Sequence, residues 1–440
     1  MNEYFKNYFE KLGFSEQTII QSSVYEPLKS GKNVLGLSPT GSGKTLAFLM
    51  PTIETLQAGE GTQLMIIEPS QELAMQVTRI ARNWAKLLDC KVLSLTGGAN
   101  VKRQTESLKK RPEVVIGTAG RIKSLINDKK LKTNYVKTVI VDEADDLLQG
   151  ETLTTVRQII NSCYSDIQLG FFSATETEIL EELDKWFGNK IIEKFDVRNI
   201  DKTRGEVRHG LLEVLRSNRN KMLVRLTHIK EFKALVFFNQ MNDLNKAYSY
   251  FVHEHYNNIA KLTSDQNKIK RQKAMEDFRL GRVKLLLTTD VAARGIDIPK
   301  LPAVINYDLP DNAIDYIHRV GRTGRMGEKG VVLNFGDDHD LRDLKNLLKD
   351  EEYTLQPIYF FKNKLVDNVP DQPKKPNSTK NNHKKDAKKV NSTKNKPAKR
   401  KKVESKFPSS KVNSNKKKKK NKHTKNKGMR KKWRDMSKNK

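Results

Sequence analysis

The chain has 440 residues, enough for two or three domains; no apolar run approaches the roughly 20 residues of a membrane span, and the opening Met-Asn-Glu-Tyr-Phe-Lys lacks an apolar secretory core, so neither a membrane-embedded nor a secreted protein is expected. Two cysteines, Cys90 and Cys163, argue against a disulfide framework and fit a reducing cytosol, and the eight histidines are scattered without metal-ligand spacing. The formal charge of +31 is uneven: residues 371–440 hold 29 Lys/Arg against 4 Asp/Glu, a net +25, which leaves only +6 for the first 370 residues.

Short apolar runs alternate with helix-like segments along the body of the chain. In the first half the runs are Val34–Leu37, Leu64–Ile67, Val92–Leu95, Val114–Ile116, Val139–Val141 and Leu169–Phe172. The pattern resumes with Ala234–Phe238, Val283–Leu287, Val304–Tyr307 and Val331–Phe335. Such runs read as buried strands, and strand–helix alternation implies parallel sheets in an α/β fold. The polar stretch Asn199–Arg204 interrupts the pattern, giving domains at 1–198 and 207–355 joined by a linker at 199–206. From 356 to 440 polar, basic sequence takes over, with lysine at every position from 416 to 420 and Lys431, Lys432, Trp433 and Arg434 near the end. It has almost nothing to bury and is expected to be disordered. Its charge would attract phosphate backbones without reading sequence. Acidic lipid is the rival partner, but no amphipathic apolar face accompanies the lysines. Lysine runs of this kind also serve as nuclear addresses in eukaryotic chains.

The first chemical signal is Ser38-Pro-Thr-Gly-Ser-Gly-Lys-Thr45, which follows an apolar run and precedes Leu46–Met50, a segment suited to a helix. That is the context of a phosphate loop. Ser38, Thr40, Gly41, Ser42, Gly43, Lys44 and Thr45 are the candidate nucleotide-binding set. Gly41 and Gly43 permit torsions that aim amides at phosphate oxygens. Lys44 supplies a point charge for the β- and γ-phosphates, and the Thr45 hydroxyl can bind magnesium. The strict pattern opens on glycine where this chain has Ser38. The plainer reading is a Gly-rich turn with an exposed lysine, which the flanking strand and helix disfavour.

The run Val139–Val141 ends in Asp142 and Glu143. Carboxylates at the carboxyl end of a strand lie where open α/β sheets bind ligands, and two adjacent acids need a cation. Taken alone they could equally be a strand end running into a solvated turn. Beside a phosphate loop, Asp142 can hold Mg²⁺ through water, and Glu143 can orient and deprotonate an attacking water. The chain therefore reads as a nucleoside triphosphatase. In the second half, His318-Arg-Val-Gly-Arg-Thr-Gly-Arg325 interleaves glycines with arginines three apart. Planar, permanently charged guanidinium groups suit a γ-phosphate. If the halves meet face to face, Arg322 and Arg325 could act as arginine fingers supplied within the chain; a basic helix surface would not explain the glycines.

In this order and spacing the motifs resemble the DEAD-box family of ATP-dependent RNA helicases in superfamily 2, over roughly residues 12–350. Asp142-Glu143-Ala144-Asp145 matches the family's name. The resemblance implies two tandem RecA-like domains with ATP and Mg as cofactors. Ser173-Ala174-Thr175 matches the motif that couples hydrolysis to domain closure, with Asp145 beside it. Thr289, Asp290, Arg294, Gly295 and Asp297 match another motif, in which Asp297 would contact the ribose. Gly13, Phe14, Thr18 and Gln21 look like the adenine-recognising motif, with Gln21 reading the base and Phe14 packing nearby. Gly97-Gly98 and Thr118-Ala119-Gly120-Arg121 resemble RNA-backbone motifs. By the same resemblance Pro69, Gly98, Thr118, Arg121, Arg271, Thr289 and Arg294 are the RNA contacts.

Several positions depart from the family pattern. Gln17 stands where proline is usual, and the isolated upstream aromatic would precede Met1, so that contact is missing unless Tyr4 or Phe5 substitutes. Gln71 replaces an arginine in Pro69-Ser70-Gln71-Glu72-Leu73-Ala74, and Ala119 replaces a proline. Thr263-Ser264-Asp265 replaces His-Gly-Asp, and Lys268 replaces a glutamine. The ATP-hydrolysing residues are intact, and the changes cluster in RNA-facing or supporting segments. Gly97–Gln104 is similar to compact bacterial members linked to ribosome assembly or cold adaptation. The resemblance implies RNA as partner, as single strand and short duplex, with ribosomal RNA and precursor particles as targets, no membrane, a monomer and a cytoplasmic site of action. The halves are expected apart without ligands and closed on ATP and RNA, bending one RNA strand so that its partner is stripped off. An ATP-gated RNA clamp without substantial unwinding is the alternative.

Overall fold

The computed structural model describes residues 1–368 apart from 204, 294–297, 299, 326, 350 and 352. The basic segment 371–440, the expected ribose contact Asp297 and the expected RNA contact Arg294 lie outside the described residues.

Two seven-stranded parallel sheets carry the architecture. The first comprises β1 (Asn33–Leu37), β2 (Leu64–Glu68), β3 (Val92–Leu95), β4 (Val114–Thr118), β5 (Thr138–Val141), β6 (Gln168–Ser173) and β7 (Ile192–Asp196), ordered β3-β4-β2-β5-β6-β1-β7. The second comprises β8 (Val207–Glu213), β9 (Ala234–Phe238), β10 (Ile259–Leu262), β11 (Leu285–Thr289), β12 (Ala303–Asn306), β13 (Gly330–Gly336) and β14 (Leu355–Pro357), ordered β10-β11-β9-β12-β13-β8-β14. Adding seven to each label of the first order gives the second, so the two α/β halves share one connectivity.

Central strands are apolar on both faces because helices cover both. In β2, Leu64 and Ile66 join a cluster with Phe48, Ala74 and Val77, while Met65 and Ile67 join the opposite cluster with Ile122, Leu125 and Val156. At roughly 1.5–3 kcal/mol for each fully buried aliphatic side chain, these faces outweigh rim ion pairs. Lys109–Glu106, with both side chains about two-thirds exposed, is worth at most about 1 kcal/mol.

The sequence pattern misses β7, β8, β10 and β14. Of these, β7 (Ile-Glu-Lys-Phe-Asp) and β10 are short and lack a continuous apolar run, as edge or near-edge strands need not bury both faces. The expected run at Val283 becomes a strand only at Leu285, because Val283 N first bonds Asp277 O in the turn after the helix Lys268–Arg279. The expected boundary at 355 falls inside β14, which pairs with β8 through Leu355↔His209, Gln356↔Gly210 and Pro357↔Leu211. Ile358 beyond it is 1% exposed. A Cβ on Gly210 would lie 2.1 Å from Ile358 Cδ1, so only glycine there lets Ile358 seat. β15 (Tyr359–Phe361) and β16 (Lys364–Val366) then pair as an antiparallel hairpin. The segment expected to be tail from 356 thus begins as sheet and hairpin.

Candidate active site

β1 delivers the chain to Ser38 at its carboxyl end. Ser42 Oγ donates to Ser38 Oγ at 2.8 Å, and both residues are 0% exposed. Serine in place of the first glycine therefore pins the loop from inside. The helix Lys44–Glu54 starts at the lysine, and its N-terminal amides and dipole favour an anion over the loop. Lys44 Nζ donates to the carbonyls of Ser38 (2.6 Å) and Pro39 (3.0 Å). Burial pulls the Lys44 ammonium below its ordinary value, while Asp142, Asp145 and Glu143 oppose that pull. Thr45 occupies the first helical turn, beside the loop.

Gln21 is joined to the same loop. It forms a capping box with Thr18, its Oε1 accepting from Thr18 N at 3.1 Å, and its Nε2 donates to Gly43 O at 3.2 Å. Phe14 packs on Phe9, ring centroids 5.1 Å apart. Of the two aromatics considered for an adenine contact, Phe5 is fully buried against Trp84 and Tyr4 is exposed.

Asp142 follows β5 and continues its ladder, its N–H donating to Ile67 O at 3.1 Å; its Oδ1 accepts from Glu143 N at 2.9 Å. Asp142 is 5% exposed, and burial together with the neighbouring Glu143 pushes its carboxyl up to about 7 against the pull of Lys44. Glu143 has left-handed backbone torsions, φ 45° and ψ 54°. For a residue with a side chain this costs on the order of 1–3 kcal/mol, a strain found where a site dictates geometry. A buried carboxylate crowded by a second one is relieved by a cation, and Asp142 with Thr45 offers hard oxygen donors, so these residues fit magnesium.

Asp145 is a hub. Its Oδ2 accepts from Thr175 Oγ1 and from Thr175 N (3.3 Å), and Ser173 Oγ donates to Thr175 O at 2.6 Å. The same Oδ2 lies 3.1 Å from His318 Nε2 of the second half. Burial would raise the Asp145 carboxyl, but the His318 hydrogen bond and charge, with Thr175 and Ser173, bring it down to about 2.

The helix Ala313–Val320, capped by Asn312 Oδ1 accepting from Asp315 N at 2.8 Å, presents His318 and leads into the arginine turn. Arg319 does not project as the spacing suggested. It is 2% exposed, bonds both oxygens of Asp290 at 2.7 Å, and also reaches Asn239 and Asp308 O, so it is an internal strut of the second half. Arg322 is 7% exposed, and its Nε donates to His318 O at 3.2 Å. Arg325 Nε donates to Gly321 O at 2.9 Å, and its stem lies over the phosphate loop. A Cβ on Gly41, whose φ is 91°, would sit 3.2 Å from Arg325 Cγ, and one on Gly321 would sit 2.8 Å from Thr40 Cβ and Oγ1. Glycine on both sides lets the arginine turn back directly onto Thr40 and Gly41. The linker is bonded to the same turn, Gly205 N to Gly324 O at 2.8 Å and Gly327 N to Thr203 O at 3.0 Å. The halves are thus engaged, the arrangement expected of the closed form.

The expected RNA contacts divide. Pro69 and Thr118 stand at the carboxyl ends of β2 and β4, Gly98 (φ 68°) sits in an exposed turn, and Arg121 is half-buried on the helix Ala119–Asn127. Gln71, at the usual arginine position, buttresses that turn, since a Cβ on Gly97 would lie 2.9 Å from its Nε2. Thr289 ends β11 and is 8% exposed. Arg271 donates to Thr263 O (2.9 Å) and to Glu72 Oε1 of the first half (2.6 Å), which makes it an interdomain strut in this arrangement. Sequence reasoning assigned no role to two residues that belong here. His318 was legible only as the opening of the arginine motif, and Glu68, fully buried at the end of β2, gave no signal within an apolar run.

The comparisons agree with this geometry. The DEAD/DEAH box helicase family matches residues 18–183, and the helicase conserved C-terminal domain matches residues 218–327. The chain is 37% identical over 341 residues to the probable ATP-dependent RNA helicase YfmL of Bacillus subtilis, covering 77% of this chain and 89% of that one. It is 36% identical over 380 residues to the DEAD-box ATP-dependent RNA helicase CshC of Bacillus cereus, covering 85% and 96%. Among solved structures, Saccharomyces cerevisiae Dbp5 bound to RNA and ADP BeF3 superposes with a TM-score of 0.70 at 25% identity over 81% of this chain and 94% of that one. Mss116p bound to single-stranded RNA and AMP-PNP shares the fold, with a TM-score of 0.71 at 23% identity over 81% and 77%. A phosphate loop facing an arginine turn across two RecA-like domains defines a helicase core. The chain belongs to the DEAD-box family of ATP-dependent RNA helicases.

Proposed function

We propose that the chain uses ATP and magnesium at a composite centre to close on RNA, separate short duplexes and remodel RNA–protein particles. The observation that carries this reading is the seat of the arginine turn on Thr40 and Gly41, joined by His318 on Asp145, which gives one site two halves. Lys44 and the loop amides hold the β- and γ-phosphates, and Gln21 reads the base. Magnesium, held by Thr45 and through water by Asp142, would neutralise phosphate charge. Glu143 takes the proton of the attacking water. Arg322 and Arg325 meet charge developing on the γ-phosphate. Asp145, Thr175, Ser173 and His318 link that chemistry to closure. Pro69, Gly98, Thr118, Arg121 and Thr289 grip sugar and phosphate, with Arg294 as a further contact, and ribose hydroxyls favour RNA over DNA.

Ribosomal RNA in precursor particles is the proposed target, met by a monomer in the cytoplasm. What supports it is the likeness of Gly97–Gln104 to compact bacterial members linked to ribosome assembly; the +25 segment at 371–440 would add attraction to RNA without reading its sequence. Glu143→Gln should bind ATP and RNA while RNA-stimulated turnover falls by at least about a hundredfold; parental turnover would remove Glu143 as the base. An ATP-gated clamp would use the same closure, and an unwinding assay on a short duplex separates the two readings.

A further inference from the structure

Glu68 ends β2, is fully buried, and has no hydrogen-bond partner on either carboxyl oxygen among the described residues. Its place in the sheet is specific. On one side it pairs in register with Thr118 at the end of β4. On the other, Ile67 pairs with Val141 and accepts from Asp142 N, which sets Asp142 opposite Glu68. Side chains alternate along a strand. Leu64, Ile66, Val114, Ile116 and Ile140 share one core cluster, so Glu68, Thr118 and Asp142 follow them onto that face. The helices Lys44–Glu54 and Gln71–Ala85 pack there, and Pro69 and Ser70, which leads the second of them, come next in the chain. One buried carboxyl therefore stands between the strand end that activates water and the strand ends that face RNA. Burial, with the charges of Asp142 and Glu143, also drives its carboxyl well above the ordinary range.

We propose that Glu68 is a positioning residue that transmits RNA engagement at the ends of β2 and β4 to the Asp142–Glu143 pair. The proposal rests on that pair being the hydrolytic centre. A phosphate seated on the Pro69–Ser70 turn displaces the residue joined to it. With neighbouring strands about 4.8 Å apart and no hydrogen bond among the described residues fixing its carboxyl, Glu68 acts on Asp142 as it moves.

The test compares Glu68→Leu, which removes the polar reach at similar volume, with Glu68→Gln, which keeps it. Glu68→Leu should melt at or above the parental temperature, because it removes an unsatisfied buried carboxyl. Its ratio of RNA-stimulated to RNA-free ATP turnover should fall about tenfold with KM for ATP little changed, and Glu68→Gln should lose no more than about threefold. A parental ratio in Glu68→Leu overturns the proposal, as does an equal fall of both rates, which marks a merely structural role. Should Glu68→Leu not fold, a double-mutant cycle of Glu68→Ala, which also removes the polar reach, and Thr118→Val on the same ratio decides: coupling supports the proposal and additivity overturns it. Parental turnover in Glu143→Gln would instead remove the hydrolytic reading beneath it. Loss in Glu143→Gln with no effect of Glu68→Leu removes this inference alone.

Discussion

Replacing His318 by alanine isolates the bond that joins the two halves at the site. Asp145 Oδ2 then keeps Thr175 but loses its partner from the second half; in the joined form the Asp145 side chain is 0% exposed. The Asp145 carboxyl is held down to about 2 against an ordinary 3.8, and at about 1.36 kcal/mol per pH unit that preference for the charged form is on the order of 2 kcal/mol. Part of it belongs to Thr175 and Ser173. A lost charge-assisted hydrogen bond of about 1.5–3 kcal/mol agrees with that scale, so about 2 kcal/mol of closure should disappear. The readout is the factor by which a non-hydrolysable ATP analogue tightens RNA binding. It should fall about thirtyfold in His318→Ala, with RNA affinity in the absence of nucleotide nearly parental. A factor within about twofold of the parent's would refute the view that this bond carries closure.

The pH dependence of closure follows from the same pair. Burial alone would lower the His318 imidazole, but Asp145 raises it above its ordinary 6.5. A raised histidine stabilises the joined form fully below its ordinary value and loses that contribution as pH climbs through the raised one. Asp145, held down to about 2, stays ionised throughout. RNA affinity in the presence of the ATP analogue should therefore weaken as pH rises above about 6.5; because the Asp142 carboxyl, pushed up to about 7, ionises in the same window in both proteins, the readout is the difference between parent and His318→Ala, which should shrink as pH rises. Removal of residues 371–440 should weaken RNA binding and flatten its salt dependence while RNA-free ATPase stays near parental; an unchanged salt slope would count against a tethering role.

What could be read from the sequence was local chemistry. The phosphate loop, the Asp142–Glu143 step and the central strands each announce themselves within a dozen residues, because glycine torsions, adjacent charges and continuous apolar runs are short-range signals. Edge strands such as β7 and β10 stayed hidden, since a strand covered on fewer sides has no continuous apolar run. Arginine roles were hidden for another reason. Arg319, Arg322 and Arg325 are equally spaced, yet only the position of Asp290 makes the first a strut. Arg271 likewise takes its role from Glu72, 199 residues away in the chain. Glu68 became visible only through the register that sets it between Thr118 and Asp142.

The linker hydrogen-bonded to the arginine turn has a kinetic consequence. Because Thr203 and Gly205 hold that turn at the root of the tether, Arg325 never diffuses far from Gly41, and the two halves meet at an effective concentration on the order of millimolar. Assembly of the site is then a first-order event, whose extent is set by nucleotide and RNA and is indifferent to how dilute the protein becomes.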